Sequence, residues 1–142
     1  MNQKEDAEKL LNSLLPFAHQ MLVQYREFFP YGGVMAHDGT ITHEGGYNGE
    51  EHQPSQTIID LLNTTHKQKA NEGNLRACSV VYDIRTIPPG KLEKQDAIAV
   101  AIDHVSGYTV VVMFPYCFDA KQQLIVESPF AVKGAATIFN PQ

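Results

Sequence analysis

At 142 residues the chain has the length of one domain, enough to bury a hydrophobic core without disulfides or metals. Hydrophobic residues make up 43% of the sequence and charged residues 19%, a balance that excludes an intrinsically disordered chain. The net charge of -5 arises from intermixed acidic and basic residues without a basic stripe, so we expect no nucleic-acid partner.

The N-terminus and the hydropathy of the chain bear on its location. The first residues, MNQKEDAEKL, are charged and lack the apolar segment of a signal peptide. No apolar run reaches the ~18 residues that a membrane span needs. We therefore expect a cytoplasmic protein without membrane contact. Cys78 and Cys117 both lie in apolar, strand-like segments, where we expect reduced and buried thiols.

The first predicted element is an amphipathic helix from about Lys4 to Phe28. Its apolar residues recur every three or four positions, which is the pattern of a half-buried helix. Pro16 interrupts this helix by removing one backbone donor. Because the apolar stripe keeps its phase across Pro16, we expect a kink there and not a break. Pro30 then prevents the helix from continuing.

A hairpin and a second helix follow. Two short alternating segments within residues 33–43 flank Asp38-Gly39, a strong signal for a hairpin turn. Residues 44–53 contain three glycines and predict a loop. A helix is predicted from about Pro54 to Glu72, and Gly73 ends it.

The rest of the chain predicts antiparallel strands. Three long strands and a weaker fourth precede an irregular tail at residues 129–142; the strands are Leu75–Ile87, Asp96–His104, Tyr108–Phe118 and Leu124–Glu127. We therefore predict a single α+β domain over residues 1–142, with an antiparallel sheet of five or six strands. Both helices are expected to pack on one face of this sheet.

Side chains alternate across a strand, so the two predicted faces can be read separately. The helices should cover the face with the larger residues, which are Cys78, Val80, Tyr82, Ile84, Ile98, Val100, Ile102, Val110, Val112 and Phe114. The other face is smaller and more polar, with Ala77, Ser79, Val81, Asp83, Ala97, Ala99, Ala101 and Asp103. It either faces water or lets a second subunit or the C-terminal tail approach, and Val111 and Met113 would add apolar area to it.

The order helix, hairpin, helix and three strands, over roughly residues 4–118, resembles the roadblock and profilin-like α+β folds at the level of topology. The resemblance lies in the order of elements and in no diagnostic motif. It implies a scaffold for protein contacts or small ligands that often dimerises, although a fold by itself does not define a function.

Imidazole and carboxylate groups concentrate in the predicted hairpin and loop. Zinc, manganese and iron accept such ligands, and the candidates are His37, His43, Glu44 and His52. His37 and His43 flank the turn and could approach each other across the hairpin. No helical H-x-x-x-H and no cysteine pair defines a geometry, so a solvated hairpin and loop is the alternative.

Acid–base and nucleophilic motifs are weak in this sequence. Asp83 and Asp103 would lie about 13 Å apart at ~3.3 Å per residue. This exceeds the ~5–9.5 Å separation of paired catalytic carboxylates, so we expect no dyad. No G-x-S-x-G elbow occurs, and His19 and His104 are expected to be structural or exposed.

Aromatic residues cluster after the first helix and at the end of the third long strand. Core packing is one interpretation, and a contact surface for a partner is the other. The tyrosines to test first are Tyr31, Tyr47 and Tyr116.

The absence of a catalytic motif and the two-faced sheet predict a non-enzymatic binding or regulatory domain. We expect it to be homodimeric and to act through protein–protein contact, without a cofactor. An inhibitor that covers a basic partner with its acidic surface is a special case. The alternative is a small metal-binding protein or enzyme, with a divalent metal held in the hairpin and loop at residues 37–52.

Overall fold

The computed structural model describes residues 2–45 and 54–139. Two helices and seven strands follow one another as α1 (Gln3–Tyr25), β1 (Tyr31–Met35), β2 (Ile41–Gly45), α2 (Ser55–Asn71), β3 (Ala77–Thr86), β4 (Gln95–His104), β5 (Thr109–Phe118), β6 (Leu124–Val126) and β7 (Phe130–Lys133). The strands form one antiparallel sheet of order β2-β1-β3-β4-β5-β6, and β7 also pairs with β5. The α+β class and the predicted order of elements are confirmed. Strand β7 lies in the segment that was expected to be irregular.

Helix α1 runs through Pro16 without a break, as its apolar stripe predicts. The side chain of Tyr31 supports this part of the helix. Its hydroxyl accepts a hydrogen bond from the Ala18 N–H at 3.1 Å and donates one to the Leu14 carbonyl oxygen at 2.5 Å. In a regular helix these two backbone groups would bond to each other. The tyrosine hydroxyl is therefore inserted into the hydrogen-bond ladder of α1.

The two helices lie on opposite faces of the sheet, which corrects the expectation that both cover one face. Leu10, Leu14 and Leu22 of α1 belong to a core cluster that contains Val81. Ile58 and Leu62 of α2 instead pack against Val80. Since consecutive residues of a strand point to opposite faces, α1 and α2 enclose the sheet from two sides. We call the face under α1 face A, and the face that carries α2 face B.

The pairing register between β3 and β4 explains the difference. Val81 lies opposite Val100, and Cys78 lies opposite Asp103. Odd-numbered residues of β3 therefore share a face with even-numbered residues of β4. The predicted faces instead combined the even-numbered residues of both strands. A register that differs by one position moves every side chain of a strand to the other face.

The chain after β7 returns across face B. Ile138 is buried at 4% exposure, in a cluster with Val34, Leu75 and Cys78. One of the two occupants expected for the alanine-bearing face, the C-terminal tail, therefore does lie on it. The tail covers the part of face B next to α2.

Candidate functional site

The half of face B that carries β4, β5 and β7 forms an apolar surface. Val111 lies opposite Ala101 on one side and Val132 on the other, and Met113 is likewise opposite Phe130. Helix α2 packs on β1 and β3, so this half has no helix above it among the described residues. We call its apolar side chains, together with Ile84 at the end of β3, the apolar sheet patch: Ile84, Ala101, Val111, Met113, Phe130 and Val132. Asp103, at the other end of β4, lies on the same face outside the patch.

The patch is accessible and uncharged. Val132 is 42% exposed, and Val111 and Met113 are half-buried. All of its side chains are apolar, in a chain with a net charge of -5. Isolated exposed apolar residues are common on proteins, but a continuous strip across several strands is typical of a contact surface. The sequence analysis identified Val111 and Met113 as candidates for such a surface.

The two cysteines differ in environment. Cys78 is 1% exposed on face B, and burial raises the pKa of its thiol. Cys117 is exposed, which corrects the expectation of two buried thiols, and both are free. Cys117 pairs with Ile125 of β6, which is 43% exposed. These two side chains extend the accessible apolar surface beyond the patch along β5.

The candidate metal ligands point in different directions. His43 lies on face A, where its Nε2 is 2.8 Å from the Ser13 hydroxyl oxygen. Glu44 lies on face B, and His37 Nε2 is 2.8 Å from the Gly73 carbonyl oxygen. His52 lies outside the described residues. The described part of the chain contains no group of three or more histidine, cysteine, aspartate or glutamate side chains that could hold a metal.

Glu44 instead belongs to a polar contact between the sheet and α2. Its Oε1 is 2.5 Å from Nε2 of His66, and its Oε2 is 2.9 Å from Nζ of Lys69. Burial by itself would raise the pKa of Glu44, but the hydrogen bonds from His66 and Lys69 bring it below its usual range. The contact anchors α2 over β2, a structural role that the sequence did not indicate.

The predicted contact tyrosines are mostly inside the molecule. Tyr31 is 6% exposed and Tyr116 is 4% exposed, while Tyr47 lies outside the described residues. The Tyr116 hydroxyl donates to both carboxylate oxygens of Asp83, at 2.9 and 3.0 Å. Asp83 on β3 and Asp103 on β4 project from opposite faces, so these two carboxylates do not form a pair. Tyr31 and Tyr116 belong to the core cluster on face A, whereas Phe29 after the first helix is 54% exposed.

A buried polar network joins the N-terminus of α1 to the turn between β4 and β5. The Asp6 side chain is 4% exposed and receives two hydrogen bonds from the Arg76 guanidinium, both at 2.8 Å. His104, whose side chain is 0% exposed, is the other partner, with Nε2 at 2.8 Å from Asp6 Oδ2. Burial alone would raise the pKa of Asp6, but the bonds from His104 and Arg76 hold it below its usual range.

The network ends at a surface serine. Ser106 is exposed, and its hydroxyl oxygen is 2.8 Å from Nδ1 of His104. The backbone N–H of Ser106 also donates to Nδ1, at 3.0 Å, so Nδ1 carries the lone pair and Nε2 carries the proton given to Asp6. From the sequence, His104 was expected to be a structural or exposed histidine without partners. The only partner of His104 that lies near it in the sequence is Ser106, two positions later. Asp6 is 98 positions away, so the sequence gives no sign of that contact.

Comparisons with known proteins add no identification. No protein-family description, no curated protein and no solved structure matches this chain. Among the described residues, no helix is long and apolar enough to span a membrane.

Proposed function

We propose that this chain is a binding or regulatory domain that acts through protein–protein contact and forms a homodimer through the apolar sheet patch. The observation that carries this proposal is the apolar sheet patch on face B, in which no side chain is charged. An antiparallel sheet can leave one face in water, but that face is then usually polar. The alternation of alanine, valine and methionine in β4 and β5 supports a face that packs against another protein surface.

The net charge favours a second copy as the occupant of the patch. Two chains of -5 repel each other over most of their surfaces. A patch without charged side chains is where two like-charged copies can meet at the lowest electrostatic cost. In a twofold dimer the same patch is used twice, so that apolar residues of one sheet meet those of the other. Sheets pack in this manner about 10 Å apart.

The size of the patch predicts a weak dimer. It extends over β3, β4, β5 and β7, which at ~4.8 Å per strand is a narrow surface. Interfaces of stable complexes bury ~800 Å² on each partner, and smaller ones are typical of transient contacts. We therefore expect the dimer to dissociate in the micromolar range, which is accessible to sedimentation and light scattering.

The test compares two valine substitutions of the same chemistry. Val132→Glu places a charge in the patch, and Val105→Glu places it in the β4–β5 turn; these valines are 42% and 40% exposed. Wild type and Val105→Glu should show a dimer that dissociates on dilution. Val132→Glu should weaken the dimer at least ~10-fold, because each copy would bring a carboxylate into the apolar contact.

Multi-angle light scattering from 1 to 100 μM, on the order of the expected dissociation range, would measure the mass of each variant. A wild-type mass equal to the monomer at every concentration would refute the homodimer. If Val132→Glu and Val105→Glu weakened the dimer equally, the cause would be the added negative charge, and the apolar sheet patch would not be the dimer interface.

A further inference from the structure

The geometry points to a second property, independent of the dimer: we infer that Ser106 is an activated nucleophile that takes an acyl group from ester or thioester donors. Two parts of the chain that are distant in sequence meet at this point, the turn at residues 104–106 and Asp6 of α1. The Ser106 hydroxyl lies against His104, and His104 lies against Asp6, each at 2.8 Å. A nucleophile, a base within hydrogen-bond reach and a third group that orients the base together define such a site.

The protonation states suit this role. Nε2 of His104 donates its proton to Asp6, so the Nδ1 lone pair is shared between the backbone N–H and the hydroxyl of Ser106, at 3.0 and 2.8 Å. The bidentate Arg76 guanidinium holds Asp6 in place and in its ionised form. The side chains of the base and the carboxylate are shielded from water, whereas Ser106 is an exposed residue. A donor can therefore approach Ser106 from the solvent, and the groups that activate it are buried and hydrogen-bonded.

The chemical step conserves atoms and charge. The Ser106 oxygen attacks the carbonyl carbon of the donor while its proton passes to Nδ1 of His104, and the imidazolium that forms is stabilised by Asp6. The bond from the carbonyl carbon to the leaving oxygen or sulfur breaks, and the leaving group takes the proton from His104. Water then hydrolyses the acyl-serine, with His104 again acting as the base.

The backbone around Ser106 limits the choice of donor. The Tyr108 N–H is 3.4 Å from the Ser106 hydroxyl oxygen, a long contact that leaves this donor available to a developing oxyanion. The N–H groups of Val105 and Gly107 already donate to the carbonyl oxygens of Arg76 and His104. With one weak donor, the site should accept activated donors such as aryl esters and not amides.

The test maps the adduct of a fluorophosphonate on the wild-type protein by peptide mass spectrometry. In this reaction the serine oxygen bonds to phosphorus, and fluoride leaves with the serine proton. Ser106 should be labelled at least ~100-fold faster than Ser128, which is also exposed. A factor of ~100 is the lower end of the acceleration that a positioned general base contributes. Hydrolysis of p-nitrophenyl acetate should fall to background in Ser106→Ala and be unchanged in Ser128→Ala.

Two controls separate reactivity from stability and from dimerisation. Labelling should disappear in urea, where the three side chains separate, and the Val132→Glu variant should be labelled at the wild-type rate. An absence of adduct at Ser106, or equal labelling of Ser106 and Ser128, would overturn the inference. The contact between Ser106 and His104 would then serve only to close the β4–β5 turn.

Discussion

Replacing Asp6 by alanine should destabilise the protein by about 3–5 kcal/mol, the usual cost of removing one partner of a buried ion pair. The side chain of Asp6 is 4% exposed and is held by Arg76 and His104. Its loss leaves the Arg76 guanidinium without its carboxylate and the buried His104 Nε2–H without its acceptor. Urea unfolding followed by circular dichroism would measure this loss as a lower midpoint with an unchanged slope.

Glu5→Ala is the matched control for this substitution. Glu5 precedes Asp6 in the first turn of α1, and its side chain is exposed. Both carboxylates interact with the helix dipole, but only Asp6 reaches the network under the helix. The control should stay within about 0.5 kcal/mol of wild type. If the two variants lost the same stability, the effect would come from the helix terminus and not from the network.

The lowered pKa of Asp6 also predicts acid sensitivity of a defined sign. A carboxyl group whose pKa falls on folding stabilises the protein fully above its unfolded pKa, near 3.8. This stabilisation is lost as the pH falls through the lower folded value. The stability gap between wild type and Asp6→Asn should therefore be constant near neutral pH and shrink below about pH 4. Glu44 contributes acid sensitivity of the same sign to both proteins, so the difference isolates Asp6.

Replacing Tyr31 by phenylalanine should cost about 1–3 kcal/mol, because a buried N–H and a buried carbonyl lose their partner. The Tyr31 hydroxyl bridges Ala18 and Leu14 within α1. Burial raises the pKa of this hydroxyl, so it remains a protonated donor to Leu14 under ordinary conditions. Phenylalanine keeps the ring and its contact with Phe17, whose ring centre lies 4.9 Å away. The loss is therefore confined to the hydroxyl.

Tyr25→Phe provides the comparison for Tyr31→Phe. Tyr25 is the last residue of α1 and is 67% exposed. Removal of its hydroxyl should leave the unfolding midpoint unchanged. Hydrogen exchange of the Ala18 amide should be faster in Tyr31→Phe and unaffected in Tyr25→Phe. Unchanged protection of the Ala18 amide in both variants would mean that the ladder of α1 closes without the tyrosine.

Much of the local structure followed from the order of residues along the chain. The period of apolar residues defines α1 even across Pro16, and Asp38-Gly39 defines the turn between β1 and β2. Strand alternation also placed Val111 and Met113 on the alanine-bearing face of β4 and β5. These features depend on residues a few positions apart, because side-chain direction repeats every ~3.6 residues in a helix and every two residues in a strand.

The functional arrangement depended on contacts between distant segments. The β3–β4 register put Cys78 and Val80 on the face of the alanines, and so put α1 and α2 on opposite sides of the sheet. Cys117 has the apolar flanks of a core residue, but it lies near the end of β5 next to the short β6, where little covers it. Sequence periodicity does not report which face another element covers.

The sequence by itself determined the α+β class, the order of helices and strands, and the position of Val111 and Met113 on the alanine-bearing face of the sheet. Only the tertiary structure decided that α2 covers one half of that face and leaves the other half accessible. It alone joined Asp6 to Ser106 through His104. The physical reason is that alternation and helical period act between near neighbours, whereas strand register and buried polar contacts are selected by the packing of the whole chain.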